Sequence, residues 1–487
     1  MINTKALREK ILDLAMRGKL VSQDPTDEPA SVLLDKIKKE KEQLIKDKKI
    51  KKEKPLPEIS REEISFEIPK NWECCRLVDL FQFVDYRGKT PNKIGKGVRL
   101  ITAKNIKPGY ISIFPEEFIS QEEHLKRNTR GNIEYGDLLI TTEAPMGNIA
   151  KNTFVEEIAI AQRTIALKPY RTVYREFFLY YLQSYIFQKQ LSINSTGTTV
   201  KGIKAAKLKN ILVSLPPIEE QQRIVAKLEE LFALIDTIES NQLEFKQLAE
   251  QLDKKVLDLA MRGKLVPQNP TDEPASVLLD EIKEEKEQLI KDKKVKKEKP
   301  LPEISKEEIP YEIPDSWEWV RLVDIGSIFS GGTPKTTINE FWEKGTIPWI
   351  TPAIMGKSKS KIFNSVALKH ITEQGLNASS AQLIPGSSIV YSSRAPIGHI
   401  NIVPYPYSTN QGCKSVTPIK VDVDYLYYCL VFRTPDIKKR ASGTTFKEIS
   451  GKGFSMTVVS IPPLAEQKRI VAKIEMIRES IQRIDFE

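Results

Sequence analysis

The strongest constraint on how this chain folds is a direct repeat. Leu12 to Ser60 and Leu257 to Ser305 align without gaps at an offset of 245 and differ at five positions of 49. A second repeated piece keeps the same order. Leu215-Pro216-Pro217 opens a long heptad pattern, and Ile461-Pro462-Pro463 opens another that runs to Glu487. At these offsets Glu487 corresponds to about Asn241 and Met1 to Lys246, so the chain ends close to where it begins within the period. The C-terminal helix then supplies the first half of a second long helix, and the N-terminal helix supplies its second half. This predicts a cyclic, pseudo-twofold arrangement of two antiparallel helical elements, one continuous and one split, with Met1 and Glu487 close in space.

Five segments follow: a helical region over residues 1–60, an insert over 65–216, a central helical region over 217–305, a second insert over 310–462, and a C-terminal helix over 463–487. In the central region Ile224, Leu228, Leu231, Ile235 and Ile238 step by 4, 3, 4, 3, and Phe245, Leu248, Leu252, Val256 and Leu259 continue after Ser240-Asn241-Gln242. Ile470, Ile474 and Ile477 restart the pattern. Such a seam wants a helix against it. Ile224, Leu228, Leu231, Ile235, Ile238, Leu248, Leu252, Ile470, Ile474 and Ile477 are the expected helix-seam and subunit-docking residues. A near-identical frame carried twice suggests that both copies dock identical partners.

Each insert switches to short apolar runs broken by Gly, Pro, Asn and Asp, the pattern of an α+β domain. In the first, strands are expected at Val98–Ile101, Tyr110–Phe114, Asp137–Ile140, Ile158–Ile160 and Asn210–Leu215. A Tyr- and Phe-rich helix over Val173–Leu191 reads as domain core. The second insert repeats landmarks but not sequence. Trp317 matches Trp72, Arg321–Asp324 matches Arg76–Asp79, Ala395-Pro396-Ile397-Gly398 matches Ala144-Pro145-Met146-Gly147, and Ser442-Gly443-Thr444-Thr445 matches Thr196-Gly197-Thr198-Thr199. The fold class is therefore α+β: two α/β domains separated by long antiparallel coiled-coil helices.

Charge separates frame from inserts. Residues 65–216 carry 22 Lys and Arg against 14 Asp and Glu, residues 310–462 carry 16 against 11, and the remainder carries 37 against 40. The net +10 thus lies on the inserts, as expected of polyanion-facing domains on a neutral scaffold. The longest apolar runs fall short of a membrane span. With Cys74, Cys75, Cys413 and Cys429 scattered, buried thiols in a reducing cytoplasm are expected rather than disulfides or a metal site. Gly88-Lys89-Thr90 lacks the earlier glycine of a phosphate loop, since Phe83 stands there. The proline pairs at 216–217 and 462–463 are not preceded by the Asn of an adenine-methylation motif, and His124, His370 and His399 are scattered. Glu134, Asp137 and Glu143 read as strand-edge and turn acids rather than a nuclease cluster.

The chain resembles the specificity subunits of type I restriction-modification enzymes along essentially its whole length. The resemblance is carried by Glu220–Lys227 and Glu466–Lys473 after their proline pairs, by Met16–Val21 and Met261–Val266, and by Gly331–Lys335, Ile347–Ile350 and Arg394–Gly398. It implies that each insert is a target recognition domain reading half of a split double-stranded DNA site. The helices would set the spacer and dock two modification (methyltransferase) subunits, with restriction subunits (translocase and nuclease) added. The chain itself would be non-catalytic and bind no cofactor; S-adenosylmethionine, ATP and Mg would sit on the partners. The first insert departs from the pattern, with Arg87-Gly88-Lys89-Thr90-Pro91 where the second has Gly-Gly-Thr-Pro-Lys. Phosphate and base contacts call for cations, hydroxyls and amides on loops. Candidates are Arg87, Lys89, Lys104, Asn105, Arg163, Thr198, Thr199 and Lys201 in the first insert, and Lys335, Thr336, Arg394, Gln411, Thr444, Thr445 and Lys447 in the second. The alternatives are a restriction–methylation fusion, a purely structural coiled-coil scaffold, and an inactive or recombination-donor copy.

Overall fold

The computed structural model describes the chain except residues 1, 53–55, 61–62, 65–66, 87–90, 128–130, 293–300, 359, 363–367, 444–446 and 487. It divides into two units, one ending at Leu243 and the other beginning at Glu244. The division falls within one continuous helix, Ile218–Met261, of 44 residues, or about 66 Å at ~1.5 Å per residue.

The first unit opens with a helix over Thr4–Met16, capped by Asn3 accepting from the Ala6 N–H and ended by Gly18 at φ 66°. A helix over Ala30–Lys46 follows. Strands Glu73–Arg76 and Leu212–Leu215 then pair antiparallel, Glu73 opposite Leu215. That ladder brings the two ends of the insert together. Inside it lie a four-stranded antiparallel sheet, in the order Phe81–Asp85, Thr164–Pro169, Leu138–Thr141, Ile149–Lys151, and a three-stranded sheet, in the order Phe118–Ile119, Val98–Ile101, Ile158–Ile160. The core is aromatic: Phe81, Phe177, Phe178, Tyr181 and Phe187 are all fully buried. The expected Tyr/Phe-rich helix is two helices, Arg175–Gln183 and Tyr185–Ile193, broken at Ser184, whose hydroxyl caps the second. Both serve the core, as expected. Tyr110–Phe114 is not a strand. It makes a single bridge, Ile106 to Ile111, and leaves Tyr110 and Phe114 exposed.

The N-terminal helix runs antiparallel to the first part of the long helix. The Ile2 carbonyl accepts from Gln242, and Arg8 pairs with Asp236 and lies over the Phe232 ring. Ile224 and Leu228 are buried together with Ala15, Met16 and Phe177.

The second unit repeats this plan. Val256, Leu257, Ala260 and Met261 of the long helix join its core, Gly263 ends the helix at φ 65°, and a helix over Ala275–Lys291 follows. Glu318–Arg321 pairs with Val458–Ile461. The four-stranded sheet runs Gly326–Ser330, Cys413–Pro418, Ser388–Ser392, Ile400–Val403; the three-stranded sheet runs Lys369–Ile371, Ile347–Ile350, Ser408–Thr409. One helix, Val423–Arg440, carries Pro435 inside it and takes the place of two. The C-terminal helix Leu464–Phe486 is tied to the long helix by Arg478 bidentate on Asp253, at 2.6 and 3.0 Å. The expected proximity of Met1 and Glu487 lies outside the described residues.

The repeated frame has an internal job that its sequence did not disclose. Glu220 is fully buried; its two oxygens accept from Gln23 at 2.5 Å and the Trp72 indole at 2.9 Å. Arg223 makes a bidentate pair with Asp27 at 3.0 and 2.6 Å. The second unit reproduces this with Glu466, Gln268, Trp317, Arg469 and Asp272. A Cβ on Gly18 would stand 2.4 Å from Pro69, and one on Gly263 2.4 Å from Pro314. The identical residues therefore clamp each frame copy onto its own insert. Much of the expected docking seam is likewise internal: Ile224, Leu228, Ile235, Ile470 and Ile474 are buried within their units, and Leu231, Ile238 and Ile477 are partly covered. Leu248 and Leu252 are exposed, at 55% and 46%, and remain open to a partner.

Candidate nucleic-acid interface

Each four-stranded sheet ends in a rim where several loops interlock, and the shared landmarks build it. The Ala-Pro-x-Gly landmark turns the hairpin. The Gly147 N–H donates to the Thr141 carbonyl at 2.9 Å, and the Gly398 N–H to the Ser392 carbonyl at 3.0 Å. The hydroxyl-glycine landmark closes on itself through reciprocal backbone bonds, Thr196 with Gly202 and Ser442 with Glu448. The two loops are stitched to a third. The Thr142 N–H donates to the Arg163 carbonyl, and the Ile203 N–H to the Thr142 carbonyl; Ser393, Gly412 and Ile449 repeat the pattern. In the second insert the Gly331–Lys335 turn joins this rim. A Cβ on Gly331 would lie 1.8 Å from the Asn410 carbonyl oxygen, so only glycine permits the approach. The Thr333 hydroxyl donates to the Gln411 side chain.

Most described candidates fall on or beside these rims. Arg163 is exposed and pairs with Glu143 at 3.4 Å. Thr198, Thr199 and Lys201 are exposed on the hydroxyl-glycine loop. Lys104 is exposed on a turn that follows Ile101, whose carbonyl accepts from Ala161. In the second insert Lys335, Thr336, Gln411 and Lys447 are exposed, and Arg394 is half-buried beside Glu448 at 3.9 Å. Arg87, Lys89, Thr444 and Thr445 lie outside the described residues. Asn105 is a correction. It is 2% exposed, accepts from the Thr102 N–H and hydroxyl, and donates to the Ser112 and Pro115 carbonyls. Its hydrogen-bonding capacity is spent holding a turn.

The acids at 134, 137 and 143 do not converge. Glu134 pairs with Lys168, Glu143 with Arg163, and Asp137 accepts from the Glu134 N–H in a buried position. Burial pushes the Asp137 carboxyl up to about 6. The described residues include no metal-holding cluster of His, Cys, Asp and Glu. The thiols are free; burial raises Cys413 and Cys429 to about 12, so neither is a nucleophile. Among the described residues no helix is long and apolar enough to cross a membrane. The Arg76 and Arg321 landmarks are structural as well. Arg321 holds Glu308 at about 2, and the Arg321 N–H donates to Asp324 at 3.0 Å.

Sequence reasoning missed Glu143, Glu448 and Lys414 at the rim. Lys414 is nearly buried, 3.8 Å from Glu448, and burial lowers its pKa. The Ala-Pro-x-Gly alignment sets Glu143 opposite Arg394, but it carries no signal that the position lies on a rim.

Two inserts of one fold each present a loop rim with cations and hydroxyls, the groups that phosphate and base edges call for. Residues 69–245 and 314–484 each match the family profile described as the type I restriction modification DNA specificity domain. The chain belongs to that family. It is 29% identical to the type I restriction enzyme EcoAI specificity subunit of Escherichia coli, over 99% of this chain and 90% of that one. It is 32% identical to the EcoEI specificity subunit of the same organism, over 69% and 65%. Its fold is similar to that of the HsdS subunit from Thermoanaerobacter tengcongensis, with TM-score 0.54, 20% identity, and coverage of 87% and 93%.

Proposed function

We propose that this chain is the DNA-reading, non-catalytic specificity subunit of a type I restriction-modification complex. Each insert reads one half of a split, asymmetric double-stranded site, and the long helix sets the separation between the halves. Two modification subunits dock on the frame and restriction subunits join them; S-adenosylmethionine, ATP and Mg are held by those partners, in the cytoplasm. The observation that carries this reading is the pair of rims. They share the same backbone interlock of three loops yet present different side chains, which suits two readers of two different half-sites. Lys201, Lys204 and Lys207 are exposed beside the first rim, and their positive charge suits phosphate.

The test is methylome sequencing of a host carrying this chain and its modification subunit. A split motif methylated on adenine is expected. A continuous or palindromic motif, or sequence-independent binding by the assembled complex, would overturn the proposal. The purified chain mixed with S-adenosylmethionine and DNA should transfer no methyl group; transfer would favour a combined enzyme.

A further inference from the structure

The same backbone position carries opposite charges in the two inserts. Glu143 and Arg394 each stand two residues beyond the strand that leads into the Ala-Pro-x-Gly turn, after Thr141 and Ser392. Each directly follows a backbone-interlocked residue, Thr142 or Ser393; the interlock fixes the main chain and leaves the next side chain to project. Each makes a bridge to the closing residue of the hydroxyl-glycine loop, Glu143 to Gly202 and Arg394 to Glu448. The two sites are thus equivalent in main-chain geometry.

The surroundings are exchanged along with the charge. Glu143 faces Arg163, which supplies the carbonyl that accepts from Thr142; in the second insert Gly412 takes that role. A Cβ on Gly412 would lie 3.5 Å from the Arg394 Cγ and Nε, so the Arg394 stem lies across the glycine. Glu448 occupies the place of Gly202 and supplies the counter-charge for Arg394. Ion pairs of 3.4 and 3.9 Å are too long to satisfy either head. The Glu143 and Arg394 side chains keep 38% and 41% of their surface exposed. Each is therefore oriented by a counter-ion and still has hydrogen-bonding capacity facing outward. A structural ion pair alone does not require the sign to be inverted at a conserved backbone site.

We infer that Glu143 and Arg394 are the specificity-determining residues of the two half-sites. Arg394 donates its guanidinium fork to the O6 and N7 acceptors of a guanine in one half. Glu143 accepts from the exocyclic amino group of a cytosine or adenine in the other. Glu448 and Arg163 are positioning residues. The inference rests on the proposed DNA-reading function.

The experiment uses the chain assembled with its modification subunit, S-adenosylmethionine, and a plasmid library randomised over both half-sites, with methylated positions sequenced. Arg394→Gln is expected to relax or change one guanine position in one half by roughly tenfold or more and leave the other half intact. Glu143→Gln is expected to relax or change one cytosine or adenine position in the opposite half by a similar factor. Arg394→Lys, which keeps a donor for guanine, should retain the preference with weaker discrimination. An unchanged motif, or methylation reduced equally on every sequence in both Arg394 variants, makes the residue a phosphate contact or a purely structural one and overturns the inference. If the unmodified complex yields no split motif, the proposed function fails instead.

Discussion

Trp72→Phe tests the clamp between frame and insert. The substitution keeps an aromatic ring at a site 3% exposed but removes the indole N–H that donates to Glu220 Oε2 at 2.9 Å. That oxygen belongs to a fully buried carboxyl whose pKa burial has already raised. Losing a hydrogen bond to such a group costs about 1.5–3 kcal/mol. The smaller ring leaves ~40 Å³ empty, which at ~24 cal/mol per Å³ adds about 1 kcal/mol. The sum is about 3 kcal/mol, and for a unit this size each kcal/mol lowers Tm by ~2–4 °C. A fall of about 6–12 °C is expected by differential scanning calorimetry. Trp317→Phe should cost the same within ~1 kcal/mol, because Glu466 accepts from Trp317 at 3.0 Å and from Gln268 at 2.6 Å in the same way. A cycle with Glu220→Gln should show a coupling of at least ~1 kcal/mol, since an amide oxygen still accepts from the indole but no buried charge is left behind. A Trp72→Phe protein that melts within ~2 °C of the original, or a cycle with no coupling, would refute the clamp.

Asp137→Asn should raise stability at neutral pH. The folded-state carboxyl stands at about 6 against an ordinary 3.8, so its stabilising contribution is full below 3.8 and is lost as pH rises through about 6, by roughly 3 kcal/mol. The Asn oxygen keeps the bond from the Glu134 N–H, so the variant's advantage should be absent near pH 4 and present at pH 7–8 in thermal melts; an offset constant with pH would contradict the burial argument. Gly263→Ala forces a Cβ into a φ of 65° and to 2.4 Å from Pro314, and should cost about 2–4 kcal/mol in chemical denaturation; a loss below ~1 kcal/mol would show that the helix end can shift. Inserting four residues near Ser240–Gln242, inside the continuous helix, adds ~6 Å, close to two base pairs of DNA. Methylome sequencing should return a longer spacer with both half-sites kept, whereas an altered half-site with an unchanged spacer would show that the helix is not the ruler.

The repeat, the long helix and the α+β inserts were legible in the sequence, because each rests on a local signal. Heptad spacing and proline pairs mark the helices and where they start. Charge located on the inserts pointed to DNA for a similarly local reason. What the repeated residues do depends on contacts far apart in the chain. Glu220 meets Gln23 and Trp72 across 197 and 148 positions, so a frame whose identity suggested docking also serves as a clamp within each unit. Asn105 has the composition of a base reader, and only the Ser112 and Pro115 carbonyls closing on it show that it has nothing left to offer a base. Tyr110–Phe114 has a strand's composition and lacks a strand beside it; pairing is a property of the neighbour, which periodicity cannot supply. The inverted charges at Glu143 and Arg394 are present in the sequence as two letters. The Ala-Pro-x-Gly alignment sets them opposite each other, and the interlocked loops show that each stands at the equivalent point of its own rim beside a counter-charge.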